Sequence, residues 1–525
     1  LDGKEDIVFF SLTFFATKFP IMQNAPDVIY GPLFEAVQMQ EIFPDSKTFV
    51  DCIPKKDPEE ILSDYQLKSS QEGFDLKNFV EENFEIPSPP TSGFESDTNR
   101  PITEHIKILW DVLKREKDEH ISGSSLLPLP YPYIVPGGRF NEIYYWDSFF
   151  TMQGLKAYGR TDIIENMVKN FAFLIETVGF IPNGNRTYFL GRSQPPFFAE
   201  MVKLLADIKS KQIMVDYLPS LKKEYDFWMR RSKGGEKAQW RTYETESGSI
   251  LNRYWDHFDT PRQESYKEDV HDAKSYEGSK EEFYRHIRAG AESGWDFSSR
   301  WFKDPNEISS IQTTSILPVD LNCLLYGLEQ TLELAYNQEG NFEQSKVFRD
   351  KAKQRAAAIY AKFWDEAQGF YFDFHFKNNN RTDAITAAGI FPLYFKLATP
   401  EQAKKVATFT EKHLLKKGGL VTTTIHSGQQ WDAPNGWAPL QFIAYVGFKN
   451  YGLDDLANEI KIRWTDLCTK VYQNTGKMME KYNVEDMDLD AGGGEYPVQD
   501  GFGWSNGVVG WLLAVDSGTP ILYGD

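Results

Sequence analysis

Apolar positions recur at helical spacing over most of the chain beyond Pro101. Thr161 opens one such segment, in which Ile164, Met167, Val168, Phe171, Leu174 and Ile175 form a single stripe that ends at Gly179. Leu321, Leu324, Leu325, Leu328 and Leu332 repeat the pattern after Pro318. Thr399-Pro400-Glu401-Gln402 reads as a capping box with proline at the first helical position, and the pattern predicts a helix from there to Gly418-Gly419. Two further helices are predicted over 437–451 and 453–472, separated by Gly452. Alternating Val/Ile runs are scarce, so the fold class is all-α. A Pro/Ser-rich stretch over 86–100 connects an N-terminal arm, residues 26–100, to the helical body. Residues 26–525 read as one domain that includes this arm.

Composition narrows the function. The chain has 525 residues and a net charge of −19. Such an acidic surface repels phosphate backbones, and the longest basic runs are pairs such as Lys55-Lys56, so nucleic acid is not an expected partner. Aromatic residues make up 15% of the chain, the supply on which a carbohydrate site draws, because aromatic faces pack against the C–H faces of sugar rings. The three cysteines are odd in number and widely spaced, which implies neither a disulfide framework nor a zinc site. Cys323 and Cys468 fall in helical apolar patterns and read as inert core thiols. No His-x-x-x-His pair occurs, and no apolar run approaches the roughly 18 residues that span a membrane.

Residues 1–25 read as an N-terminal extension. Its apolar run over 7–16 suits the core of a secretory signal, although the residues before it are acidic and no A-x-A site follows. It is read as a signal remnant in preference to a strand. The expected location is therefore periplasmic or secreted, with the cytoplasm as the alternative.

The chemistry sits in loops between the helices. One cluster is PGGRFNEIYYWD from Pro136, and another is IPNGNR from Ile181 with RSQPP from Arg192. Arg262-Gln263-Glu264-Ser265 and ESGWDFSSRW from Glu292 follow, then QWDAPNGWAP from Gln430 and GGGEYPVQDG from Gly492. Planar Arg, Asn, Gln, Asp and Glu groups hold pairs of hydroxyls, and Trp and Tyr supply flat walls. No Walker or dinucleotide glycine pattern is present. Cleaving a glycosidic bond requires two carboxyl groups flanking it, and these loops hold more than two. Any one of them serves equally well as a structural hydrogen-bond acceptor, so pattern alone does not choose the pair.

PGGRFNEIYYWD and QWDAPNGWAP resemble the two signature segments of the trehalases of glycoside hydrolase family 37. GPLFEAVQ from Gly31, FPDSKTFVD from Phe43, IPNGNR, RSQPP, ESGWDFSSRW, PVDLN from Pro318 and GGGEYPVQDGFGW extend the resemblance from about residue 26 to Gly510. It is close to the bacterial periplasmic members. The resemblance implies an (α/α)6 toroid that hydrolyses α,α-trehalose to two glucoses with inversion, with no cofactor and no metal, acting as a monomer. By resemblance Asp296 is the general acid and Glu495 the general base. Substrate-binding roles carry over to Arg139, Phe140, Tyr144, Trp146, Asp147, Asn183, Arg192, Gln194, Arg262, Glu264, Gly294, Gln430 and Trp431. An inverting pair stands roughly 6.5–9.5 Å apart to admit the attacking water. Where the family usually has Arg-Pro-Glu-Ser, this chain has Gln263 in place of the proline, which is expected to loosen that loop. The rival readings are another toroid glycosidase with different sugar-clamping loops, and a sugar sensor, which would lack one of the two carboxylates.

Overall fold

The computed structural model describes residues 25–89, 93–231, 235–489 and 499–515. The extension read as a signal remnant lies outside these residues except for Ala25.

Two kinds of helix build the body, and their burial separates them. The Tyr145–Ala157, Ala438–Lys449 and Gly503–Val515 helices bury every residue from Tyr145 to Leu155, Ala438 to Phe448 and Gly503 to Leu512. A helix with no polar face must be enclosed on all sides. Thr161–Thr177 instead buries one stripe, which includes the six residues predicted from spacing. Inner and outer helices alternate along the chain. Six inner helices pack each on the next: Tyr145–Ala157, Phe198–Ile208, Val319–Glu339, Phe391–Tyr394, Ala438–Lys449 and Gly503–Val515. The last then packs on the first, closing a ring. Outer helices such as Thr161–Thr177, Phe342–Phe363 and Asp454–Thr475 lie against them. This is the (α/α)6 toroid expected from the sequence.

The closure is tight. A Cβ on Gly154 would lie 2.5 Å from the Gly507 Cα, so only glycine allows the first and last inner helices to approach this closely. Cys323 and Cys468 are fully buried, and burial pushes both thiols far above the ordinary range, as expected of inert core thiols.

The capping box at Thr399 forms with both of its hydrogen bonds. That helix, Pro400–His413, stops before the predicted Gly418-Gly419 end. Leu415–Lys416 and Gly419–Leu420 pair instead as a short antiparallel hairpin, with Gly419 at φ 126° in its turn. The glycine pair is a strand-turn signal rather than a helix stop. The helices predicted over 437–451 and 453–472 are Ala438–Lys449 and Asp454–Thr475.

The arm has its own apolar cluster. Helices Pro26–Met39, Ser46–Val50, Pro58–Lys68 and Leu76–Asn83 bury Tyr30, Leu33, Phe34, Phe49 and Phe79 together with Tyr144, Tyr188 and Phe189 of the body. Charges reinforce the join. Buried Lys47 lies 2.7 Å from Glu142 and also pairs with Asp51, while the Arg186 Nε donates to Glu142 at 3.1 Å. The arm is thereby held over one end of the ring.

Candidate active site

The loops that precede the inner helices converge on one cavity, which encloses about 820 Å³ with its open mouth included. Its wall carries the predicted residues Arg139, Phe140, Tyr144, Trp146, Asp147, Asn183, Arg192, Gln194, Arg262, Glu264, Gly294, Asp296 and Trp431. Positions from Arg139 to Trp431 therefore meet in one place. Glu495 lies outside the described residues.

Local structure explains each placement. Trp146 and Asp147 sit in the first turn of the Tyr145–Ala157 helix. The Gln194 Oε1 accepts the Trp146 amide at 3.1 Å, satisfying one of the donors that every helix start leaves open. The Arg192 Nε donates to Asn183 Oδ1 at 2.9 Å and its Nη2 to Glu264 Oε1 at 2.5 Å. Arg262 forks onto Asp269, with Nη2 to Oδ1 at 2.6 Å, and stacks over the Phe297 ring. Arg139 approaches Asp45 of the arm at 3.5 Å.

Gln263 does not loosen its loop. Its Nε2 donates to Asp27 at 3.0 Å, its Oε1 accepts from Arg288 at 3.1 Å, and its carbonyl accepts from Gln38 at 3.2 Å. Side-chain hydrogen bonds to the arm do here what a proline ring would do by restricting φ.

The apolar walls are stacked indoles. Trp431 lies parallel to Trp437 at 3.9 Å and near-parallel to Trp295 at 5.3 Å, with Trp504 edge-on. Phe140 meets Tyr144 and Phe502 edge to face. Gly294 has φ +71°, and a Cβ there would meet the Trp146 indole at 2.8 Å. Gly294→Ala is therefore expected to displace Trp146, raising KM for the sugar at least tenfold and lowering the melting temperature. Steady-state kinetics and a thermal melt check this, and an unchanged KM would contradict it.

Charge is patterned across the cavity. Asp147, Asp296 and Glu480 all line it, and the last two lie close enough to act on Asp147. Burial, with added repulsion from Glu480 and Asp296, pushes the Asp147 carboxyl well above the ordinary carboxylate range. Burial alone would do the same to Glu264, but Arg192, Arg262 and Arg288 hold it below that range. The Glu264 Oε2 is buried and has no hydrogen-bond partner among the described residues, whereas the Arg192 Nη1 faces the buried Asp256 carboxylate at 3.7 Å. A buried acceptor left open on a cavity wall is what a polar ligand satisfies.

Asp296 and its neighbours are fixed from behind. The Arg300 guanidinium, fully buried, donates to Asp373 at 2.7 Å and to Asp320 at 2.8 Å, and stacks on Trp295 and Trp301. Asp432 of the Trp-Asp pair is structural: it accepts from Ser298, Ser299, Thr423 and Ser427. Gln430 is not on the cavity wall; its Nε2 donates to the Asp296 carbonyl at 2.5 Å.

Sequence reasoning missed several wall residues. Asp45, Ser46 and Lys47 come from the arm, and Phe189, Ser265, Glu268, Ala291, Trp437, Glu480, Phe502 and Trp504 complete the lining. FPDSKTFVD and QWDAPNGWAP were legible as segments carrying three of the arm positions and Trp437, but not as wall. Glu480 stands in a stretch without glycine or tryptophan and gave no signal.

A helical toroid whose inter-helix loops gather carboxylates, arginines and indoles around one cavity is the architecture of a glycoside hydrolase. The family model for trehalase matches residues 41–515, so the chain belongs to the trehalase family. It is 49% identical over 487 residues to a periplasmic trehalase from Salmonella paratyphi B, covering 92% of this chain and 85% of that one. Among solved structures it is similar to the neutral trehalase of Saccharomyces cerevisiae, with TM-score 0.61, 28% identity and 80% of each chain covered. It also shares its fold with a GH63 mannosylglycerate hydrolase from Thermus thermophilus, with TM-score 0.54, 15% identity, and coverage of 78% of this chain and 99% of that one.

Proposed function

We propose that this enzyme hydrolyses α,α-trehalose to two glucose molecules with inversion, in the periplasm, where its 49%-identical Salmonella relative is named as acting. The observation that carries the reading is the placement of Asp296 on a cavity wall that also holds Arg139, Arg192, Arg262 and stacked indoles.

Asp296 is the general acid. It gives its proton to the glycosidic oxygen as the C1–O bond breaks. Asp147 and Glu480 line the same cavity, and adjacent carboxylates resist ionising together, which favours a proton shared among them. Glu495, assigned from its GGGEYPVQ motif, takes a proton from the attacking water. Glu264 supplies an open acceptor for a sugar hydroxyl, Arg192 holds Glu264 and Asn183 in place beside it, and Trp431 and Trp146 wall the pocket. The arm adds Asp45, Ser46 and Lys47 to the wall, and a pocket enclosed by a second chain segment favours a disaccharide over a longer glucan.

Proton NMR of the reaction in its first minutes tests the stereochemistry. Equal initial α- and β-glucose is expected, since water attacks one ring and the other leaves with its configuration retained. Only α-glucose at the start would mean retention and remove the water-holding role from Glu495. No glucose from folded protein would overturn the substrate.

A further inference from the structure

A buried lysine lies close enough to the proposed acid to feel its charge, and no role has been given to it. Lys481 is fully buried. Its Nζ donates to the Gln430 Oε1 at 2.7 Å, and the Gln430 Nε2 donates in turn to the Asp296 carbonyl at 2.5 Å. The Gln430 carbonyl accepts from the Trp437 Nε1 at 3.0 Å and the Asn435 Nδ2 at 3.1 Å. One residue on, the Trp431 amide donates to the Phe297 carbonyl at 3.0 Å. Residues 296 and 297 are therefore stitched to 430 and 431 by two consecutive bonds.

Direction matters in this chain of bonds. An amide side chain is symmetric in shape, with a donor at one end and an acceptor at the other. An ammonium has donors only, so Lys481 can face only the Oε1 of Gln430, which turns Nε2 toward Asp296. Glu480, at 3.7 Å from Nζ, keeps the ammonium from being an isolated buried charge. Burial lowers the Lys481 pKa, while Glu480 and Asp296 act to raise it.

We propose that Lys481 is a positioning residue for catalysis: through Gln430 it fixes the Asp296 backbone, and so the reach of the Asp296 carboxyl to the glycosidic oxygen. The proposal rests on the reading of Asp296 as general acid. A displacement on the order of 1 Å at a reacting group costs about a hundredfold, which sets the scale of the effect.

The test compares two substrates. With trehalose, the electron pair of the breaking C1–O bond goes to an oxygen that needs the Asp296 proton. With α-glucosyl fluoride, the pair leaves on fluoride, which needs no proton. Lys481→Met is expected to lower kcat on trehalose by about 10–100-fold, with KM and fluoride hydrolysis each within about threefold of the parent. Equal losses on both substrates, or full activity on trehalose, would overturn the proposal. Asp296→Asn is measured in parallel. If it keeps fluoride hydrolysis and loses trehalose turnover, the acid assignment stands whatever Lys481→Met shows. If it loses both alike, that assignment fails, and the proposal with it. Should Lys481→Met not fold, Gln430→Met removes the same link and is held to the same split.

Discussion

Asp296→Asn is expected to lower kcat on trehalose by about 10²–10⁴-fold, the usual scale of a general acid. Asparagine keeps the size and planarity of the side chain. The backbone bonds that place residue 296 are made by its carbonyl and by its neighbours, and the substitution leaves them intact. What disappears is the transferable proton, and the leaving glucose must then depart as an alkoxide. The helical circular-dichroism signal and the melting temperature should match the parent, and KM should change little. Turnover within a few-fold of the parent, measured by glucose release, would remove Asp296 from the acid role and turn attention to Asp147 and Glu480 in the same cavity.

Arg300→Met is expected to cost about 3–5 kcal/mol of stability, the penalty for leaving buried carboxylates without their cation. Arg300 neutralises two of them, Asp320 in the first turn of the Val319–Glu339 helix and Asp373. Asp373 also accepts the Val319 amide at 2.9 Å, so the loss reaches the start of an inner helix. Methionine fills part of the volume and still packs between Trp295 and Trp301, which separates charge from packing. Urea unfolding measures the change. The triple variant Arg300→Met/Asp320→Asn/Asp373→Asn should recover part of it, because it removes the stranded charges. A change below about 1 kcal/mol, the scale of an exposed ion pair, would show that water reaches this cluster.

Much of the scaffold was legible before the structure. Outer helices announce themselves because one face meets water, as Thr161–Thr177 does. The inner ring is harder to read: Ala438–Lys449 and Gly503–Val515 have no polar face, so periodicity cannot orient them. Most of the cavity wall was visible because clustered Gly, Trp and Arg are unusual in loops. Family resemblance then placed individual residues. Gln430 and Gln263 were judged by residue type, yet an amide satisfies a backbone carbonyl or a neighbouring loop as readily as a sugar or a turn: Gln430 is bonded to the Asp296 carbonyl, and Gln263 ties its loop to the arm. Nothing local marks Glu480, and the segment holding Asp45, Ser46 and Lys47 was legible only as a familial motif; the three-dimensional join of arm to ring is what makes those three residues wall.

The closure of the ring has a consequence for the order of assembly. Gly154 meets Gly507, and the Arg139 amide donates to Gln499 across 360 residues of sequence. Contacts this remote carry a large loop-closure entropy, and proteins dominated by them fold slowly. During synthesis the first inner helix lacks its most extensive packing partner until the last one has been made. The cavity is therefore among the final features to take shape, and a chain cut before Gly503 forfeits the whole site rather than one wall of it. A long-lived, sticky intermediate of this kind is the species that chaperones would have to protect.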